Sequence, residues 1–165
     1  MLELDLQQYL LRKYPQENTR CEWKEFKNLK NSFCGDEKDD VISYVSAIAN
    51  MEGGHLVIGV KDKTLEIVGT DISRLTFNGQ PANTQSATFK LTEQCTYLSS
   101  EGLNIEEFIT DDTNKRVWII HIHRCSSGWC CHSRKDRLPA QSPPRCRRPA
   151  PRPGKSRDSH NQNFL

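Results

Sequence analysis

The chain has 165 residues, with 23 Lys and Arg against 21 Asp and Glu, a length that holds one domain and hardly two. The near-neutral sum hides a segregation: residues 1–123 carry 13 basic and 19 acidic side chains, whereas residues 124–165 carry 10 and 2. No apolar run approaches the roughly 18 residues that cross a bilayer, and the acidic, amphipathic start is no signal peptide. A cytoplasmic protein without membrane contact is therefore expected, its seven cysteines reduced.

Leu2, Leu6, Tyr9, Leu10 and Lys13 recur at helical spacing, so an N-terminal helix is predicted over about 2–13, within a segment 1–14 that Pro15 and Asn18 close. Cys21 to Leu29 reads as a strand. Trp23 and Glu25 share one parity and Phe26 takes the other, which predicts a bulge or a strand buried on both faces. Asp36 and Glu37 suit the first turn of a helix over about 37–50. Val41, Ile42, Val45, Ile48 and Ala49 form its apolar stripe, and Gly53-Gly54 its C-terminal cap. His55–Val60 (HLVIGV) is a short strand buried on both faces. Asp62-Lys63 turns into a second strand over Leu65–Val68, and Asp71 caps a turn or short helix.

Gln80–Asn83 reads as a loop. Ser86–Leu98 reads as a helix capped by Thr84, with Phe89, Leu91, Cys95 and Leu98 inward. Leu103–Ile109 and Arg116–Ile122 are strands joined by the polar turn Asp111–Lys115. The body over 15–123 is thus α+β, a single mixed sheet of about five strands with about three helices.

Residues 124–165 contain no Val, Ile, Met or Tyr but six of the eight prolines. Such a segment buries too little apolar surface to offset chain entropy, so a disordered basic Pro/Arg-rich tail is expected. It reads either as a basic arm for phosphates or as the product of a shifted reading frame or truncated gene, because the composition changes abruptly at Arg124.

The chemistry-bearing residues fall into three sets. Lys24, Lys27, Lys30, Lys61 and Lys63 are the basic concentration of the body, close in sequence to Trp23 and Phe26. Cations beside an aromatic ring suit a phosphate backbone and a stacked base. Glu25, with Glu22 on the same strand, and Asp62, just past HLVIGV, could converge if the two strands are neighbours; paired carboxylates can hold a divalent cation that activates water. Cys125, Cys130, Cys131, His123 and His132 fit the paired spacing of a zinc site poorly, so no metal ligand set is assigned. Gly53-Gly54 follows a helix and precedes a strand, the reverse of a phosphate loop. No nucleophile–base set stands out; His121 and His123 share a strand face at the surface, and His55 reads as structural.

CEWKEFK at 21–27, VISYVSAIANMEGGHLVIGVKD at 41–62 and IVGTD at 67–71 together resemble the Schlafen AlbA-like domain family, over about residues 15–123. The resemblance implies a nucleic-acid-binding domain, DNA or RNA, of a bacterial transcription-regulator type. Lys24, Lys27, Lys61 and Lys63 would supply charge and Trp23 a stacking ring, while Asn50, Gly53 and Gly54 would shape a turn beside them. No cofactor is expected on that reading, and a homo-oligomer is left open. The alternative it implies is a Mg²⁺- or Mn²⁺-dependent RNA endonuclease. Glu25 and Asp62 match two of its three carboxylates, and Arg20 stands where the third is expected. A protein-interaction module is the third class, since the body is net acidic. The family's continuation after residue 123 is not matched, which predicts a sheet short of a strand or two.

Overall fold

The computed structural model describes residues 1–14, 20–34, 40–95 and 102–125. The helix stop at Pro15 and Asn18, the acidic pair Asp36–Glu37, Leu98, and the predicted disordered tail from 126 onward lie outside them, as do Cys130, Cys131 and His132. Among the described residues three helices and six strands follow in chain order: α1 (Glu3–Lys13), β1 (Cys21–Lys24), α2 (Val41–Asn50), β2 (Gly54–Ile58), β3 (Thr76–Phe77), β4 (Gln80–Pro81), α3 (Thr84–Gln94), β5 (Leu103–Ile109) and β6 (Arg116–Ile122). The fold is α+β. Its main sheet is mixed, in the order β1-β2-β6-β5, and β3-β4 form a separate two-stranded ribbon.

β1 runs parallel to β2, pairing Cys21 with His55 and Lys24 with Ile58. β6 is antiparallel to both β2 and β5. The sheet has a core on each face. On one side Leu56, Ile58, Trp118 and Ile120 pack against Val45 and Ile48 of α2 and Leu91 of α3. On the other, Cys21, Trp23, Val57, Val117 and Ile119 pack under Leu6, Leu10 and Tyr14 at α1. Leu56, Val57 and Ile58 are all fully buried, because alternate side chains of a strand covered on both faces each meet a core.

Local chemistry sets the element ends. Asp40 caps α2 by accepting from Ser43 N at 2.8 Å. Gly53, at φ +74°, brings its N–H back to Ile48 O at 3.0 Å and closes that helix. The parity conflict in the first strand is resolved by Phe26, whose left-handed φ of 32° ends the extended run. Trp23 faces the α1 side while Phe26 meets Tyr44 of α2, ring centroids 6.1 Å apart.

Four readings are corrected. Leu65–Val68 is not a strand: Lys61 N donates to Glu66 O, Leu65 turns at φ 58°, and a single bridge joins Val60 to Ile67. Gln80–Asn83 is not wholly loop, because Gln80 and Pro81 pair with Thr76 and Phe77 across Asn78-Gly79, both at positive φ. Asn-Gly is the dipeptide such a tight hairpin demands. α3 starts earlier than expected, capped by Asn83 in a reciprocal box with Ser86. Phe89 points outward, 72% exposed. Finally, Leu2 is exposed, so the buried stripe of α1 is Leu6 and Leu10.

Candidate nucleic-acid interface

Because β1 and β2 are adjacent and parallel, their C-terminal ends emerge together. Lys24 O accepts from Gly59 N at 2.9 Å, and Asp71 N donates to Lys27 O at 2.9 Å. The segments carrying Lys24, Lys27, Lys61 and Lys63 therefore leave the same end of the sheet. Asp71 is tied there by Ser73, which donates both its backbone N–H and its hydroxyl to the carboxylate. Those bonds hold Asp71 below the usual carboxylate range.

The lysines are not bare cations. Lys24 pairs with Glu22 at 2.8 Å, Lys27 with Glu25 at 3.6 Å and Lys61 with Glu66 at 3.1 Å. Lys63 is exposed, with no carboxylate partner among the described residues. Lys24 Nζ also lies 5.0 Å from the centre of the Tyr44 ring. Burial opposes its charge, but Glu22 and Tyr44 outweigh that and hold its pKa above the ordinary lysine value. This end of the sheet is thus mixed in sign, with Glu22, Glu25, Asp62 and Glu66 among the lysines.

Four assigned residues fall elsewhere. Trp23 is fully buried under α1, its Nε1 donating to Cys21 Sγ at 3.2 Å, so its ring has no face to offer a base. Asn50, Gly53 and Gly54 lie at the start of β2, not beside the lysines; the four steps to Ile58 separate the two ends by about 13 Å. Glu25 and Asp62 lie past the ends of neighbouring strands, and among the described residues no group of three or more His, Cys, Asp or Glu is placed to hold a metal ion. Arg20, standing where a third carboxylate was expected, pairs with Glu52 at 2.6 Å. Cys125 is buried, its N–H bonded to Ala49 O at 2.9 Å.

A profile of the Schlafen, AlbA_2 family matches residues 17–139. The chain belongs to that family. The matched span of this Schlafen AlbA_2 domain runs past position 123, where the charge changes sign. No curated protein sequence matches the chain. Among solved structures it is similar to the N-terminal domain of a RecG-related protein from Nitrosomonas europaea, at 17% identity and TM-score 0.40, over 98% of this chain and 99% of that one. It is also similar to the DIP2311 protein from Corynebacterium diphtheriae, at 16% identity and TM-score 0.39, over 66% of this chain; the match spans only 18% of that protein's length. No helix among the described residues is long and apolar enough to cross a membrane.

The opposite end of the sheet holds residues that sequence reasoning read separately. His55 and His121 are register partners on β2 and β6, with their Nδ1 atoms 3.1 Å apart. His121 Nε2 lies 3.1 Å from Glu106 Oε2. Tyr14 sets its ring edge-on to His55, centroids 4.8 Å apart. Only the strand register joins positions 55, 106 and 121, and no short-range spacing announces it.

Proposed function

We propose that this domain binds nucleic acid through phosphate contacts from Lys24, Lys27, Lys61 and Lys63. The observation that carries the reading is the parallel pairing of β1 with β2, which brings two lysine-bearing segments to one end of the sheet. Family membership supports it. The carboxylates there do not forbid it: a surface ion pair is worth about 0–1 kcal/mol, so a phosphate can take over Lys27 or Lys61 at small cost, whereas Lys24 is part-buried against Glu22 and Tyr44 and is the least free to exchange. They do keep the attraction weak and unselective, since charge contacts of this kind carry no sequence information. The finer reading is a DNA-binding module of a transcription-regulator-type bacterial protein, acting in the cytoplasm. In a homo-oligomer the lysine end would recur and the attraction would grow.

The test is fluorescence anisotropy of the full chain with labelled duplex DNA and single-stranded RNA between 50 and 200 mM salt. Four lysine contacts predict a log–log salt slope on duplex of no more than about −3.6, and Lys27→Ala with Lys63→Ala should reduce its magnitude by about 2. Unchanged affinity and slope in the double variant would sink the reading.

A further inference from the structure

We infer that His55 and His121 form a binding site for a first-row divalent cation that favours imidazole, Zn²⁺, Ni²⁺ or Cu²⁺, with Glu106 as its positioning residue. The two Nδ1 atoms stand 3.1 Å apart. Two nitrogens each 2.0–2.1 Å from one ion have that separation when the angle at the ion is about 98°, between the square-planar and tetrahedral values that these metals accept. The two chelating atoms thus already hold the spacing the ion requires.

The proton positions favour the same site. A carboxylate only accepts, so Glu106 fixes the hydrogen of His121 on Nε2 at 3.1 Å and leaves Nδ1 with its lone pair. Carboxylate-to-imidazole support of this kind orients metal-ligating histidines and raises their basicity. In the unloaded pair, His55 Nδ1–H donates to that lone pair. On loading, the ion takes the place of the shared hydrogen, and His55 carries its proton on Nε2. No redox step and no covalent bond is involved.

The surroundings fit an ion with open positions. A groove of about 620 Å³ reaches both imidazoles and is lined also by Glu52, Asn104, His123 and Arg124, so the remaining coordination positions face water. On the other side, Tyr14 is 3% exposed and its hydroxyl has no hydrogen-bond partner among the described residues. Its ring lies 4.8 Å from that of His55 and 6.4 Å from that of His121. The hydroxyl of a buried ring packed against two imidazoles, itself without a partner, is a group that water brought in with an ion can satisfy.

The site lies a strand length from the lysines, so it stands or falls independently of nucleic-acid binding. The experiment titrates the full chain with NiCl₂ by calorimetry and, on ¹⁵N-labelled protein, by paramagnetic line broadening. The wild-type spectrum should lose signals first around His55 and His121. His55→Gln and His121→Gln should each abolish that broadening, and Glu106→Gln should weaken binding about 10- to 100-fold. Broadening centred on Cys130–His132 with His55 and His121 spared overturns the assignment, and the wild-type spectrum decides this even if a variant fails to fold. Equal affinity in Glu106→Gln removes the positioning role.

Discussion

At the outgoing end of β1 and β2 the chain places four lysines among Glu22, Glu25, Asp62 and Glu66. At the incoming end, two imidazoles sit half out of water against Tyr14 and each other. In the first group Lys27–Glu25 and Lys61–Glu66 are surface ion pairs that exchange partners for about 0–1 kcal/mol each, while Lys24–Glu22 is part-buried. The second is held by strand register, a carboxylate and an aromatic edge. Loose, interchangeable cations suit a ligand recognised by its charge; fixed lone pairs at a set distance suit a ligand recognised by its geometry. The parallel pairing of β1 with β2 thus gathers a diffuse set of charges at one end of β2, and the antiparallel pairing of β2 with β6 sets two imidazoles face to face at the other.

The largest test of that division is Trp23, which separates packing from recognition at the lysine end. Truncating this fully buried ring by Trp23→Ala should cost about 3–5 kcal/mol in urea-melt stability. Trp23→Phe keeps most of the volume and should retain nucleic-acid affinity within about twofold, since no face of the indole is free to stack. Were Trp23→Phe to fold well yet lose binding severalfold, the ring would be a contact after all and the lysine end would not act by charge alone.

A somewhat smaller effect is expected at the histidine end from Gly54→Ala. A Cβ there would lie 2.0 Å from Arg20 O, and Gly54 sits at φ +149°. Overpacking and strain together predict a loss of about 2–4 kcal/mol. The damage should also be local: the first β1–β2 contacts open while the lysine end keeps its pairing. Hydrogen exchange should accelerate at His55, whose N–H donates to Arg20 O at 2.7 Å, more than at Gly59. Uniform acceleration along the strand pair would show the two ends to be one unit.

The contrast between the ends also explains what was legible in the chain itself. β5 and β6 were readable to the residue, because Leu103–Ile109 opens with alternating apolar and polar positions, Arg116–Ile122 is rich in Val and Ile, and one polar turn joins them. The stripe of α2 was readable because Val41, Ile42, Val45, Ile48 and Ala49 follow one period and all five are buried. The face of Trp23 was not, since an aromatic beside lysines reads equally as core or as contact, and only α1 folding over it decides. Gln80–Asn83 reads as loop because the strands on either side of Asn78-Gly79 are two residues each, too short for any alternation to show. The His55–His121 pair depends on antiparallel register between segments 66 residues apart, which no local pattern encodes.

The smallest expected effect is a pH dependence confined to the histidine end. Burial, then His121 and Lys13, lower the pKa of His55 in the folded protein. The groups facing it are His121, Lys13 and Tyr14, with Glu106 beyond His121. The unfolded chain therefore takes up this proton first, near pH 6.5. Stability contributed by neutral His55 is present above that pH. It declines as the pH falls through 6.5 and levels off below the folded value. In metal-free buffer, urea melts from pH 8 to 5 should show that decline in the wild type and a flatter profile in His55→Asn, while Lys63→Ala, at the other end, should follow the wild type. If His55→Asn and wild type fall in parallel, the imidazole titrates alike in both states, and the incoming end is no more closed to protons than the outgoing one.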